Sequence, residues 1–216
     1  MTKYGYIGPD DATPTQSWGS NAGVFSPTDV YNLQLNDKWS SIGSLELIET
    51  QTSADFTNMD FTNLGNYDIH FLTHNNSKPA DDAGTDTEHF SIRLSNDGGS
   101  SFITSGYHKA WEYGDSGASF TQQYGTSENS FSYLNGYTNY DYTGGGYVYF
   151  YDLLDSSKYS FISVHGIGNQ SSTVCQMRFG SGVYPVSESH DAIRIGKANW
   201  SEDYSGTFSL YGLRYK

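Results

Sequence analysis

The sequence has a single cysteine, Cys175, among 216 residues, so no disulfide can form within the chain and the redox compartment cannot be read from it. Cys175 sits in the apolar run Val174-Cys175-Gln176-Met177, which predicts a small buried or half-buried strand residue. Positive charge is also scarce. Eleven Lys and Arg stand against 24 Asp and Glu, for a formal net charge of −13. The basic residues are scattered and form no stripe, which argues against nucleic acid as a partner, because affinity for phosphate comes from clustered Lys and Arg. An acidic surface keeps a protein soluble and apart from its copies. Long apolar runs are missing as well. No stretch approaches the roughly 20 residues of a membrane helix. The opening Met1-Thr2-Lys3-Tyr4-Gly5 has no apolar signal region. The expectation is synthesis in a cytosol, no cleaved secretion signal and no membrane insertion.

What the sequence does have is aromatic bulk. Hydrophobic residues make up 36% of the chain, and 19 tyrosines and 12 phenylalanines supply much of that share. Each ring brings a large area to bury. The remainder is rich in Ser, Thr, Asn, Asp and Gly, a mixture that favours strands joined by turns over long helices. The length suits one β-sandwich or barrel, whose single core needs no staples.

Residues 1–25 are rich in Gly, Pro, Asp and Ser and show neither helix nor strand period. They predict an extended N-terminal arm, with residues 26–216 forming a single β-sandwich domain. Tyr4, Tyr6, Ile7, Trp18 and Phe25 are the arm's candidate assembly contacts, since apolar rings in a segment that cannot fold alone must bury against something. Ser26-Pro27-Thr28-Asp29 opens the one good helix candidate, with Ser26 as cap and Pro27 in the first turn. That helix is expected to run about two turns and end near Trp39.

From residue 44 the period becomes two. Residues 45–52, 67–74, 90–95, 108–113, 147–151, 159–164, 173–179, 183–186, 192–195 and 206–214 read as strands. In the second of these, Tyr67, Ile69, Phe71 and Thr73 share one face, and Asp68, His70 and His74 the polar one. Phe90, Ile92 and Leu94 point inward. Asp155-Ser156-Ser157-Lys158 predicts a hairpin turn. Phe208, Leu210 and Leu213 are the expected core side of the last strand, with a bulge near Gly212. Residues 114–146 read as either a long surface loop or a pair of weak edge strands. Many short strands with one short N-terminal helix predict an all-β fold: two packed antiparallel sheets in a jelly-roll sandwich of the concanavalin A-like kind.

Catalytic patterns are missing. Glu46 and Glu49 are three apart in a strand, which puts them on opposite faces and rules them out as a glycosidase pair. Glu88 and Glu112 can meet across strands, but nothing singles them out. His70 and His74 lie about 13 Å apart along a strand, too far for one zinc, and read as surface polar residues. Asn96-Asp97-Gly98-Gly99-Ser100 offers hard oxygen donors and is the candidate calcium loop, with Asp81, Asp82, Asp86 and Glu88 preceding it. The alternative is a plain hairpin turn. Otherwise no cofactor is expected, and Gly166-Ile167-Gly168 lacks the third glycine of a dinucleotide fingerprint. The aromatic supply is more informative. Trp111, Tyr113, Tyr124, Tyr133, Tyr137, Tyr140 and Tyr142 flank or lie within the Gly/Asn-rich stretch. Such rings can stack on a glycan, join a protein interface or simply cover a sheet edge.

Several segments together carry a resemblance. Gly23-Val24-Phe25-Ser26-Pro27-Thr28-Asp29-Val30 with Lys38-Trp39 is one of them. Others are residues 45–51 with Asp60-Phe61 and Tyr67-Asp68-Ile69-His70-Phe71, residues 93–100, residues 151–159, and the closing Gly206-Thr207-Phe208-Ser209-Leu210-Tyr211-Gly212. They resemble segments of virion structural proteins from bacteriophages of marine bacteria, cyanobacteria included, described as tail-fibre-like, capsid-fibre or appendage proteins. The similarity spans most of the chain after residue 20 and is weakest over 114–146. It implies a non-enzymatic component of the capsid exterior or a tail appendage, made in the host bacterial cytoplasm and located in the virion. Its partners would be other virion proteins and copies of itself, trimeric by analogy with phage appendages. Release by lysis would need no signal peptide. No catalytic or ligand residue carries over. The alternatives are a receptor-binding module for a host-surface glycan and, less favoured, a polysaccharide depolymerase.

Overall fold

The computed structural model describes residues 26–36, 45–80, 89–117, 119–132, 134, 141–169, 171–197 and 203–213. The arm residues Tyr4, Tyr6, Ile7, Trp18 and Phe25 lie outside them, as do Tyr133, Tyr137, Tyr140, Trp39 and Glu88. The chain divides into two units, Met1–Ile42 and Gly43–Lys216. The expected division lay at residue 25.

The first unit contains α1 (Pro27–Leu35). Ser26 and Asp29 cap it reciprocally. The Ser26 Oγ accepts the Asp29 N–H at 3.2 Å, and the Asp29 carboxylate accepts the Ser26 N–H at 2.9 Å. These bonds satisfy donors that the helix cannot pair for itself. The Ser26 hydroxyl, which donates to the Asp29 carboxylate at 2.6 Å, and the Ser26 N–H hold that carboxyl below its ordinary pKa. The Asn36 side chain donates to the Asn32 carbonyl at 2.7 Å and caps the other end, four residues short of the expected stop.

The second unit is built of strands. They are β1 (Leu45–Phe56), β2 (Asn58–Phe61), β3 (Ile69–Pro79), β4 (Phe90–Ser95), β5 (Tyr107–Asp115), β6 (Phe120–Glu128), β7 (Phe131–Ser132), β8 (Gly144–Tyr151), β9 (Ser160–Asn169), β10 (Cys175–Tyr184), β11 (Ala192–Lys197) and β12 (Tyr204–Leu213). They form two antiparallel sheets in a sandwich-like arrangement. One has eight strands in the order β1-β12-β3-β8-β9-β10-β5-β6, the other four in the order β2-β11-β4-β7. The inner faces meet around Phe61, Leu72, Phe90, Ile92, Leu94, Phe131, Phe150, Ile193, Phe208 and Leu210, all fully or almost fully buried. Phe90, Phe208, Phe56 and Tyr204 pack edge to face, with centroids 5.5 to 6.1 Å apart.

The structure places several strands differently from their expected reading. In β3 the core side is His70, Leu72 and His74, and the aromatic side with Ile69 and Phe71 faces outward. His70 and His74 are therefore buried residues and not surface polar ones. In β12 no bulge occurs at Gly212. That glycine packs flat under the Tyr67 ring, where any Cβ would collide with it, and Leu213 pairs with Leu45 and Ile69 on the outer face. The irregularity in this region lies in β1, between Leu47 and Glu49. Ile48 is the extra residue, so Glu46 opposes Gly212 and Glu49 opposes Leu210, and the two carboxylates share one side. Residues 183 and 184 continue β10 and do not start a new strand. Part of 114–146 forms the edge strand β6, which pairs with β5. The loop after β4 joins strands of different sheets, so it is not a hairpin turn. Cys175 is exposed.

Candidate functional site

The outer face of the eight-stranded sheet is the surface that the core does not account for. Its residues line up in rows across the strands, as the register dictates. One row runs Leu45, Leu213, Ile69, Tyr151, Phe161, Val183, His108. The next runs Leu47, Tyr211, Phe71, Tyr149, Ser163, Ser181, Ala110, Tyr124. A third runs Thr50, Ser209, Thr73, Tyr147, His165, Phe179, Glu112, Gln122. A fourth carries Ile167, Met177 and Phe120, with the Phe120 ring laid against Gly114.

This arrangement follows from strands that are apolar at successive positions. In Tyr147-Val148-Tyr149-Phe150-Tyr151, Val148 and Phe150 fill the core, which turns the three tyrosines outward. Phe71, Tyr147, Tyr149 and Tyr211 then form an aromatic patch, with Phe71 and Tyr149 only 4.5 Å apart. Although the chain carries a net charge of −13, Glu112 is the one charged side chain in these rows, and it accepts from Gln122 at 3.3 Å.

The second row dips where Ser163, Ser181 and Ala110 lie between Tyr149 and Tyr124. Three small side chains in a row of large ones open a groove of about 760 Å³. Tyr151, Phe161, Val183, His108 and Tyr124 wall it. Tyr124 stands at its rim, 81% exposed on the edge strand β6. The lining is mostly apolar with a few polar groups, the usual character of a recognition surface.

Of the seven candidate contact rings, the four that are described do not share one face. Trp111 is buried on the inner face of β5. Tyr113 shares that face, half-buried, with the Arg178 guanidinium over its ring at 5.1 Å. Tyr124 lies on the opposite side of the sheet, and Tyr142 is half-buried in the segment before β8. The residues that share the open face with Tyr124 are Tyr147, Phe161, Ile167, Met177, Phe179 and Phe120, which sequence reasoning did not single out. The available signal was the lack of a polar face in residues 147–151, because a strand apolar on both sides needs two partners.

Of the candidate catalytic carboxylates, Glu46 and Glu49 are engaged elsewhere. Glu46 accepts from the Tyr67 hydroxyl at 2.9 Å and Glu49 from the Gln51 amide at 2.9 Å. Both lie on the inner side of the edge strand, away from the groove. Ser160, His190 and Glu188 form a chain that sequence reading missed: Ser160 Oγ is 2.8 Å from His190 Nδ1, and His190 Nε2 is 3.3 Å from Glu188. Its order resembles a nucleophile relay, but Ser160 and His190 are fully buried. Burial lowers the His190 pKa, and Glu188 partly opposes that.

Asp97 of the candidate calcium loop is used by its own turn. It accepts from Ser101 Oγ at 2.6 Å, the Ser101 N–H at 2.9 Å and Ser95 Oγ at 2.8 Å, which lower its pKa to about 2. Among the described residues no three His, Cys, Asp or Glu side chains are grouped to hold a metal ion. Residues 81–88, with the remaining candidate calcium ligands, lie outside them. Among the described residues no helix is long and apolar enough to cross a membrane. No family model, no curated protein and no solved structure matches this chain.

Proposed function

We propose that this chain is a bacteriophage virion structural protein, a component of the capsid exterior or a tail appendage that works through protein–protein contacts. The observation that carries the contact role is the outer face of the eight-stranded sheet. Tyr, Phe, Met, Ile and Leu are spread through its rows among small or uncharged polar residues, and one carboxylate is the rows' only charge in an otherwise acidic chain. Depletion of charge with enrichment in aromatics and Met distinguishes the core of a protein interface. The virion assignment rests on the sequence resemblance. In this reading the sandwich is a jelly roll, and the arm with Tyr4, Tyr6, Ile7, Trp18 and Phe25 makes further contacts in the particle.

The test is mass spectrometry of purified virions carrying either the wild-type chain or the double variant Met177→Asp, Phe179→Asp. Both positions are exposed on the open face, so the variant should fold. The expected result is wild-type chain in the particle and loss of the variant from it. Virions that lack the wild-type chain, or that retain the variant at an unchanged level, overturn the proposal.

A second reading is supported by the groove. Tyr124, Tyr151 and Phe161 beside the hydroxyls of Ser163 and Ser181 offer stacking faces and hydrogen bonds to a host-surface glycan. A glycan array on the purified protein tests that reading.

A further inference from the structure

The open sheet face is concentrated toward one side. Seven of the exposed large apolar side chains lie between β8 and β6, namely Tyr147, Phe161, Ile167, Met177, Phe179, Phe120 and Tyr124, at 38 to 81% exposure. At about 200 Å² for a large side chain, they leave roughly 700 Å² of apolar surface in water. The largest patch on an ordinary monomer is about 300–600 Å². A standard interface takes about 800 Å² from each partner, so this half-face alone comes close to that amount.

The patch also has the shape for self-association. A projecting ring, Tyr124, stands directly beside a groove floored by Ala110, Ser163 and Ser181. Any knob next to its own hole is self-complementary about a twofold axis passing between them. Charge points the same way. Two copies at −13 repel wherever their acidic surfaces meet, and this half-face opposes only Glu112 to its copy.

We propose that the occupant of this face is a second copy of the chain. The two eight-stranded sheets pack face to face about a twofold axis between Tyr124 and the groove, and each copy's Tyr124 ring enters the other's groove. This deepens the structural reading by naming the partner of the same surface, and it rests on that reading's view of the face as a protein contact.

The experiment is light scattering and sedimentation on the purified full-length chain, with Tyr124→Ala and, separately, Ser181→Trp to fill the groove. A double variant, Tyr124→Cys with Ser181→Cys in a Cys175→Ser background, supplies a covalent readout. Within one chain these two positions are two strands apart, about 9–10 Å, beyond the ~7 Å limit for a disulfide. Across the twofold they meet. The expected results are twice the chain mass for the wild type, at least about 30-fold weaker association for both single variants, and a disulfide-linked dimer for the double variant. A wild-type chain that stays monomeric at 100 µM overturns the proposal. So does a dimer that neither substitution weakens, since it would use another surface. A monomer whose glycan binding depends on Tyr124 also overturns it and gives the groove to a saccharide. Virion content separates the two readings. A monomer still incorporated into virions sinks the twofold alone, and a Tyr124-dependent dimer absent from virions sinks the virion role alone.

Discussion

Acidification should destabilise the sandwich through His74, and the structure sets the size of the effect. His74 lies on the core side of β3, 3% exposed, stacked on Phe208 and edge-on to Phe90. Its Nδ1 is 2.7 Å from Ser77 Oγ, and that hydroxyl donates onward to the Gly144 carbonyl at 3.2 Å. With the Ser77 proton committed to Gly144, Nδ1 is the nitrogen that carries the imidazole proton. Nε2 is then a bare acceptor without a hydrogen-bond partner. A second proton on Nε2 would bury a charge with nothing to receive its N–H, and burial accordingly pulls the pKa from 6.5 down to about 3. The folded value lies below the unfolded one, so the unfolded chain takes up the proton first. The His74 contribution is complete above pH 6.5 and is lost as pH falls toward 3. At about 1.4 kcal/mol per pH unit, that is about 2 kcal/mol by pH 5 and about 4–5 kcal/mol by pH 3. Burial shifts His70 and His190 in the same direction, so the wild type should lose more than His74 alone accounts for. Asp97 and Asp155, lowered to about 2, titrate outside the window from pH 7 to 5. The assay is urea unfolding at pH 7, 6 and 5 for the wild type and His74→Leu. The variant should lose about 1 kcal/mol at pH 7 with its Ser77 bond. Its fall between pH 7 and 5 should be about 2 kcal/mol smaller than that of the wild type. Equal falls for the two proteins would refute the reasoning.

Gly146→Ala should lower stability by about 2–3 kcal/mol in urea unfolding, because its Cβ would press on the His165 carbonyl and lie 2.7 Å from His74 Nε2. An unchanged midpoint would show that β8 and β9 can separate freely. Arg194→Lys should remove about 1–2 kcal/mol, since Arg194 grips Asp60 with two bonds of 2.7 Å and lies 4.0 Å over the Phe102 ring. Full stability at low salt would mean that the fork geometry contributes nothing. Replacing Glu46, Glu49, Glu88 or Glu112 singly by Gln should abolish no enzymatic activity. Turnover of any polysaccharide that one of these changes eliminates would overturn the non-enzymatic reading.

Much of the chain's local structure was legible in its residues. Ser26 and Asp29 announce a helix start because capping is settled within four residues. Phe90, Ile92 and Leu94 announce an inward face, and the turn at Asp155 announces the β8–β9 hairpin, because alternation and turn chemistry are local as well. The class of fold follows from the same signals. The direction of each face does not. β3 offers two plausible cores, one of Ile69 and Phe71, the other of His70, Leu72 and His74, and the second lies inward. The choice depends on which side of β3 the four-stranded sheet covers, and that sheet needs β7 and β11, from far along the chain, to join β2 and β4. The bulge at Ile48 belongs to the same kind of information, since it exists only relative to the register of β12. The make-up of the open sheet face was half legible. The abundance of tyrosine marked this as a protein with rings to spare, and Tyr124 was among the residues expected to make contacts. Trp111 and Tyr113, close to it in sequence, turn to the other side of the sheet, because neighbours in a strand alternate while neighbours in a row come from different strands. The sequence by itself determined how much aromatic surface this protein carries. Only the pairing of eight strands decided that five exposed rings, with Ile167 and Met177, gather on one side of one face, because a row across a sheet is set by register and not by order along the chain.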